Sequence, residues 1–259
     1  MSHLTGFAET QDAAAAMVNI AALADALGYD DGDDLIVPDF SNVVAIATGI
    51  PSGSTERARL DSPSLRRLGL FELGPHNGGA DADAEPGSPP ALLDLRRSPL
   101  GLVAGERLQG EADYDTTAAQ LAWIMLWFNQ GPIDPIDPQD VFTVRATNGS
   151  TLVADVWTNG ALTLAENLPV GRYGIVGMRA QSAGLVAARL VFGDQVERPG
   201  VLACDDLNDL GWEGFRYGGM GQLGEFEQSR QPTVDFLSCS ADTAQVVHLD
   251  LVQLRAGPA

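Results

Sequence analysis

Two Asn-Gly pairs eleven residues apart, Asn148-Gly149 and Asn159-Gly160, constrain this chain more than any other feature. They punctuate three short runs, 141–147, 150–157 and 161–164, rich in apolar and β-branched residues. Asn-Gly between alternating apolar runs is the strongest local hairpin signal, because both residues tolerate the left-handed backbone of a tight turn. The expectation is an antiparallel meander, and burial selects its register. Two-residue loops would set Val144 opposite Val153 but Phe142 opposite Asp155, mixing apolar and charged groups on one face. Three-residue loops ending at Gly149 and Gly160 gather Phe142, Val144, Leu152, Ala154, Val156, Leu162 and Leu164 instead. A slip of one residue flips every side chain. The second register is therefore expected, with each glycine left-handed and followed by a bulge.

Strand-like runs continue to the end of the chain. After the turn Leu168-Pro-Val-Gly171 come 172–179, 185–192, 215–226, 234–238 and 246–254. Short strands at this spacing predict a sandwich or jelly roll. The run 185–192 is almost wholly apolar around Arg189, as in a strand covered on both faces; His248 and Asp250 alternate with Val247, Leu249 and Leu251, as in a half-exposed one. Ahead of this region lies Gly131-Pro-Ile-Asp-Pro-Ile-Asp-Pro138. Proline fixes φ and pushes its predecessor toward extended geometry, so the segment is a stiff connector. The expected organisation is an N-terminal half over 1–130, a connector over 131–139 and a C-terminal β unit over 140–259.

Helical and extended signals mix in the N-terminal half. The Ala-rich run 11–27 places Met17, Ile20, Ala21, Ala24 and Leu27 on one helical stripe, with Thr10 as cap and Gly28 as stop. A second helix is expected over 116–128, capped by Asp115 and apolar all round from Leu121 to Phe128. Such a helix is enclosed by protein, its own core or another subunit. Short strands are expected at 35–37, 43–48, 69–73, 92–95 and 102–107, and a loop at 75–90. The fold class is therefore mainly β: an antiparallel jelly roll or β-sandwich, one β barrel or two, with two helices in the N-terminal half.

Charge narrows the partners. All 15 basic residues are arginine, against 35 acids, for a net charge of −20. Such a surface repels nucleic acid, since neutralising phosphates needs clustered cations. Two origins fit the bias, adaptation to high salt and GC-rich coding. No run reaches the roughly 18 apolar residues of a spanning helix and no secretory leader pattern opens the chain, so a soluble protein is expected.

Reactive groups are sparse. The cysteines Cys204 and Cys239 read as buried thiols, with a disulfide across them left open. Of the histidines, His3 falls in a start expected to be disordered, His76 in a loop and His248 in a strand. Pairing His248 with either cysteine would still lack an orienting group and an oxyanion hole. The acidic turn Asp30-Asp31-Gly32-Asp33-Asp34 lacks the spacing and final Glu of a calcium loop and reads as a solvated turn. Asn148-Gly149-Ser150 has the glycosylation pattern, but the turn reading wins. The glycine run 215–224 lacks the helix that phosphate loops open and suggests a bent strand or the close approach of another backbone. No catalytic, cofactor-binding or metal-binding residue, and no enzyme activity, is expected.

From Phe142 to Leu254 the chain resembles the jelly-roll major capsid proteins of tailless icosahedral viruses. The residues that carry the resemblance are Asp155-Val-Trp-Thr-Asn-Gly160, Leu168-Pro-Val-Gly-Arg-Tyr-Gly-Ile-Val-Gly-Met-Arg179, the Arg198-Pro-Gly200 turn and the run Phe215–Phe226. The resemblance implies a self-assembling coat subunit in a virion, partnered by itself and other capsid proteins, with the N-terminal half as a second, smaller barrel. Many small capsid proteins carry a basic arm for the genome, and this chain has none. A shell lining an internal membrane would not need one. The rival expectation is a cytoplasmic carbohydrate- or ligand-binding β-sandwich with Trp157, Trp212 and Tyr217 as a stacking surface. A cupin-like enzyme would need a His-rich metal set that the chain lacks.

Overall fold

The computed structural model describes residues 2–11, 14–25, 27–49, 57–67, 71–73, 92–114, 120–204 and 213–256. Among these residues the chain forms twenty strands, numbered in chain order, and two 3₁₀ turns. The first sheet runs β1 (His3–Gln11), β11 (Gln120–Asn129), β5 (Asn42–Gly49) and β8 (Leu93–Asp94), with β9 (Leu100–Gly101) also on β5. The second runs β3 (Asp30–Asp31), β4 (Asp34–Ile36), β10 (Arg107–Tyr114), β6 (Arg57–Asp61) and β7 (Phe71–Leu73), with β2 (Ala14–Ile20) also on β10. The third runs β13 (Thr158–Ala161), β19 (Thr233–Ser238), β16 (Leu185–Val191), β17 (Gly200–Cys204), β15 (Gly171–Gln181), β20 (Gln245–Ala256), β12 (Phe142–Asn148) and β14 (Thr163–Leu164). A short β18 (Gly224–Glu227) pairs with β15.

Neither expected helix is present among the described residues. Over 11–27 the described residues form the end of β1, then β2, which pairs with β10. Over 116–128 they form β11, paired with β1 on one side and β5 on the other. The all-round apolar character of Leu121–Phe128 has a different cause. Leu121, Trp123, Met125 and Trp127 pack toward the third sheet, while Ala122, Ile124, Leu126 and Phe128 pack toward the second. A strand between two layers is apolar at every position, since successive side chains point to opposite faces. The first sheet is thus the middle of three β layers. Glycine lets the middle layer close: a Cβ on Gly6 would overlap Ile124 O, and one on Gly49 would overlap the Trp123 ring.

The third sheet nearly closes on itself. Segment 158–164 pairs with β19 through Thr158–Ala161 and with β12 through Thr163–Leu164, so the strand order returns to its start. Val144, Ile175, Met178, Phe236 and Leu249 belong to its core, and the half-buried Leu164 packs against it. Most pairings are antiparallel, but β15 and β17 are parallel at Ala180–Ala203 and Gln181–Cys204.

The meander expectation fails in its turns. Residues 150–157 form no strand beyond an isolated bridge from Ala154 to Ser238, and Asn159-Gly160 lies inside β13. Neither Gly149 nor Gly160 has positive φ; that role falls to Asp155, at 65°. The two Asn-Gly pairs meet in space instead. Asn148 Nδ2 donates to Ala161 O at 2.7 Å, its Oδ1 accepts from Ser150 N at 2.8 Å, and a Cβ on Gly160 would overlap the amide. Asn148 thereby pins the segment that closes the barrel. The connector 131–139 carries no strand, yet Ile133 is buried, its N–H bonding Arg96 O at 2.9 Å.

Candidate functional site

His3 is fully buried in β1, contrary to the disordered start expected for it. It belongs to a charge network between the middle layer and the barrel wall. Its Nδ1 accepts the Arg198 backbone N–H at 3.1 Å, which places the ring proton on Nε2, 3.3 Å from Asp25 Oδ2. Burial lowers its pKa, opposed by the Asp25 contact, and the Arg189 charge lowers it further. The imidazole is neutral. Arg189, the only charged residue of its apolar strand, is the hub. Its Nη1 donates to Asp25 Oδ2 at 2.7 Å and to Leu4 O at 2.9 Å, and its Nε donates to Asp235 Oδ2 at 3.0 Å. The guanidinium carbon lies 4.2 Å from the centroid of Trp157. Arg198 Nη1 reaches the same Asp235 oxygen at 3.0 Å, and Asn159 Nδ2 holds the other at 2.8 Å.

Burial sets the electrostatics here. Desolvation alone would raise the Asp25 pKa, but His3, Arg189 and the Leu27 N–H outweigh it and hold the carboxyl well below the ordinary range. Desolvation pulls Arg189 down, and the charges of Asp25 and Asp235 pull it back. Two arginines balance two aspartates, the condition for tolerating charge in an interior. The network ties β1, β16 and β19 together across the interlayer boundary.

A second network crosses the outer face of the barrel. Asp250 is fully buried, held by Arg216 Nε at 2.5 Å, Arg216 Nη2 at 2.7 Å and Thr143 Oγ1 at 2.6 Å. The Asp250 hydrogen bonds raise the Arg216 pKa above its ordinary value. Asp250 Oδ2 also accepts the Tyr217 N–H at 3.3 Å, and Tyr217 has φ 49°, rare for a residue with a side chain. Gly177 leaves room for this arrangement, since a Cβ there would overlap Asp250 Oδ2. Next along the strand His248 opposes Arg145 on β12 and Arg179 on β15. Its pKa is lowered by burial first and then by Arg179, Arg216 and Arg145.

The remaining sequence candidates are dispersed. No disulfide joins Cys204 and Cys239; the latter lies 3.1 Å from Gly184 O. The acidic turn is the β3–β4 hairpin, with Gly32 at φ 68° and Arg107 bridging Asp31 and Asp34. The glycine run makes a series of turns rather than one long strand; Gly218 and Gly221 have positive φ, and only Gly224–Glu227 is extended. Close backbone approach is real there, since a Cβ on Gly219 would overlap Gly214 O. Of the stacking trio, Trp157 is covered by Arg189 on one face, Tyr217 lies in the turns ahead of β18, and Trp212, like His76, lies outside the described residues. Arg189 was visible in sequence as a lone charge in an apolar run; His3, Asp25 and Asp235 carried no comparable signal. Comparison with protein-family models, curated proteins and solved structures finds no match.

Proposed function

We propose that this chain is a self-assembling structural subunit, a coat protein of an icosahedral particle, with itself and other coat proteins as partners. The observation that carries the reading is the platform around Tyr217. This side chain is 56% exposed on a backbone held at positive φ by a fully buried aspartate. Arg216 lies over its ring at 4.8 Å, and the neighbouring Gly218 O accepts the N–H of Ile136, itself 41% exposed. Exposed Tyr, Arg and an aliphatic side chain on a strained, rigid backbone are the makings of an interface anchor. At least nine of the arginines are engaged by the chain's own carboxylates, leaving an acidic exterior unsuited to nucleic acid.

The reading treats the barrel as a jelly-roll derivative, although the parallel β15–β17 pairing departs from an all-antiparallel jelly roll. It gives the chain no catalytic role and locates it in a virion, where an internal membrane could take the place of a genome contact. Sizing and electron microscopy at low and high ionic strength test it. Shells or capsomers at high salt are expected, and Tyr217→Ala should weaken association by about 2 kcal/mol. Monomers at every ionic strength would overturn the reading.

A further inference from the structure

A cavity of about 410 Å³ opens over the buried Arg189, walled on its apolar side by Trp157 and Val191 and on its polar side by Asn159, Arg198 and Asp235. The hydrogen-bond inventory of those groups is lopsided. Both Asp235 oxygens are already engaged, Oδ2 by Arg189 Nε and Arg198 Nη1, Oδ1 by Asn159 Nδ2. Each guanidinium carries five N–H donors. Arg189 uses Nε and Nη1, and Arg198 uses Nη1. Arg189 Nη2, and Nε and Nη2 of Arg198, donate to nothing among the described residues. The cavity therefore offers donors whose matching acceptors its own chain has used.

We propose that this cavity is a binding site for one carboxylate group on a short apolar stem. The carboxylate lies against the open Nε and Nη2 edge of Arg198, above the buried Arg189, and the stem runs past Val191 and the rim of Trp157. Guanidinium edges match carboxylate geometry with paired, charge-assisted hydrogen bonds. The receptor is built in advance. Arg189 is 1% exposed and held by three hydrogen bonds and an aromatic face, so binding orders nothing there. Asp25 and Asp235 balance the two guanidinium charges, so directional donors rather than surplus charge attract the ligand. A polyanion such as phosphate is disfavoured for the same reason. The volume suits a small organic acid or one acidic side chain of a second copy, and it falls in the usual range of ligand sites.

The test titrates the whole protein, at constant ionic strength, with sodium butyrate, butyramide and sodium phosphate, following the thermal midpoint and the heat of binding. Butyrate should raise the midpoint saturably, while butyramide and phosphate should not. Arg198→Gln should weaken butyrate about tenfold or more, the usual weight of a charged hydrogen bond. Val191→Phe fills the apolar wall and leaves every ion pair in place, so it decides the matter if the arginine variant fails to fold. Butyrate acting no better than butyramide, or acting unchanged on Val191→Phe, overturns the proposal. Sedimentation with and without butyrate separates the two sources. Assemblies that butyrate dissociates assign the native carboxylate to a neighbouring copy, and an unchanged sedimentation profile assigns it to a free acid.

Discussion

Asn148 and Gly160 are a matched pair, and each explains the other. Gly160 is glycine because the Asn148 amide occupies the space of its Cβ, whereas nothing lies within 4 Å of a Cβ on Gly149. Gly160→Ala should therefore cost about 1–3 kcal/mol in urea unfolding, the usual cost of overpacking. Gly149→Ala should stay within about 0.5 kcal/mol. Adding Asn148→Ala to Gly160→Ala should recover part of the loss, a coupling of about 0.5–3 kcal/mol in a double-mutant cycle. His3 carries a prediction in pH. Its folded pKa lies below the ordinary 6.5, so the unfolded chain takes up the proton first. Its contribution is complete above 6.5 and lost as pH falls toward the folded value. His248 acts in the same direction. Asp25, depressed from 3.8, is lost in a lower window, below 3.8. Urea midpoints between about pH 5 and 8 should fall toward acid, and His3→Gln should flatten that slope.

Strand β11 is the element on which the three layers depend. Trp127 is fully buried, donates Nε1 to Gly200 O at 2.8 Å and stacks on Phe215 at 5.6 Å. Trp127→Ala should cost about 3–5 kcal/mol, read from the denaturation midpoint. Far-ultraviolet circular dichroism should show no helical double minimum. The same element marks where the sequence ceased to be legible. Eight consecutive apolar residues describe a helix buried all round and a strand buried on both faces equally well. The two tryptophans, better suited to strands, favoured the second. Over 11–27 the alanines favoured helix, and pairing with β10 overrode that local preference. Strands with an alternating or β-branched pattern, such as β5, β15, β16, β19 and β20, were readable as they stand. At the network, one half of each pair was readable: an arginine inside an apolar strand demands a buried partner. Its aspartates lie 164 and 46 residues away, where no local pattern reaches.

At the scale of the whole molecule, buried and exposed charge behave differently. The Arg189 network is internally balanced and shielded from solvent, whereas the net charge of −20 is carried largely outside. Raising salt from about 0.01 M to 1 M shortens the screening length from about 30 Å to 3 Å. The thermal midpoint should rise by several degrees over that range through relief of self-repulsion. In Asp25→Asn, which strips a buried arginine of one of its two carboxylate partners at a cost of about 3–5 kcal/mol, salt should not restore the loss. The interlayer network also sets a clock on synthesis. Leu4 O waits for an arginine 185 residues downstream, and His3 for one 195 residues downstream. At about 5–20 residues per second, β1 spends roughly 10–40 s outside the ribosome before those partners exist. Leu4, which packs in the core shared with the barrel, is uncovered for that interval, so the nascent strand is where a holdase chaperone and aggregation compete for this protein.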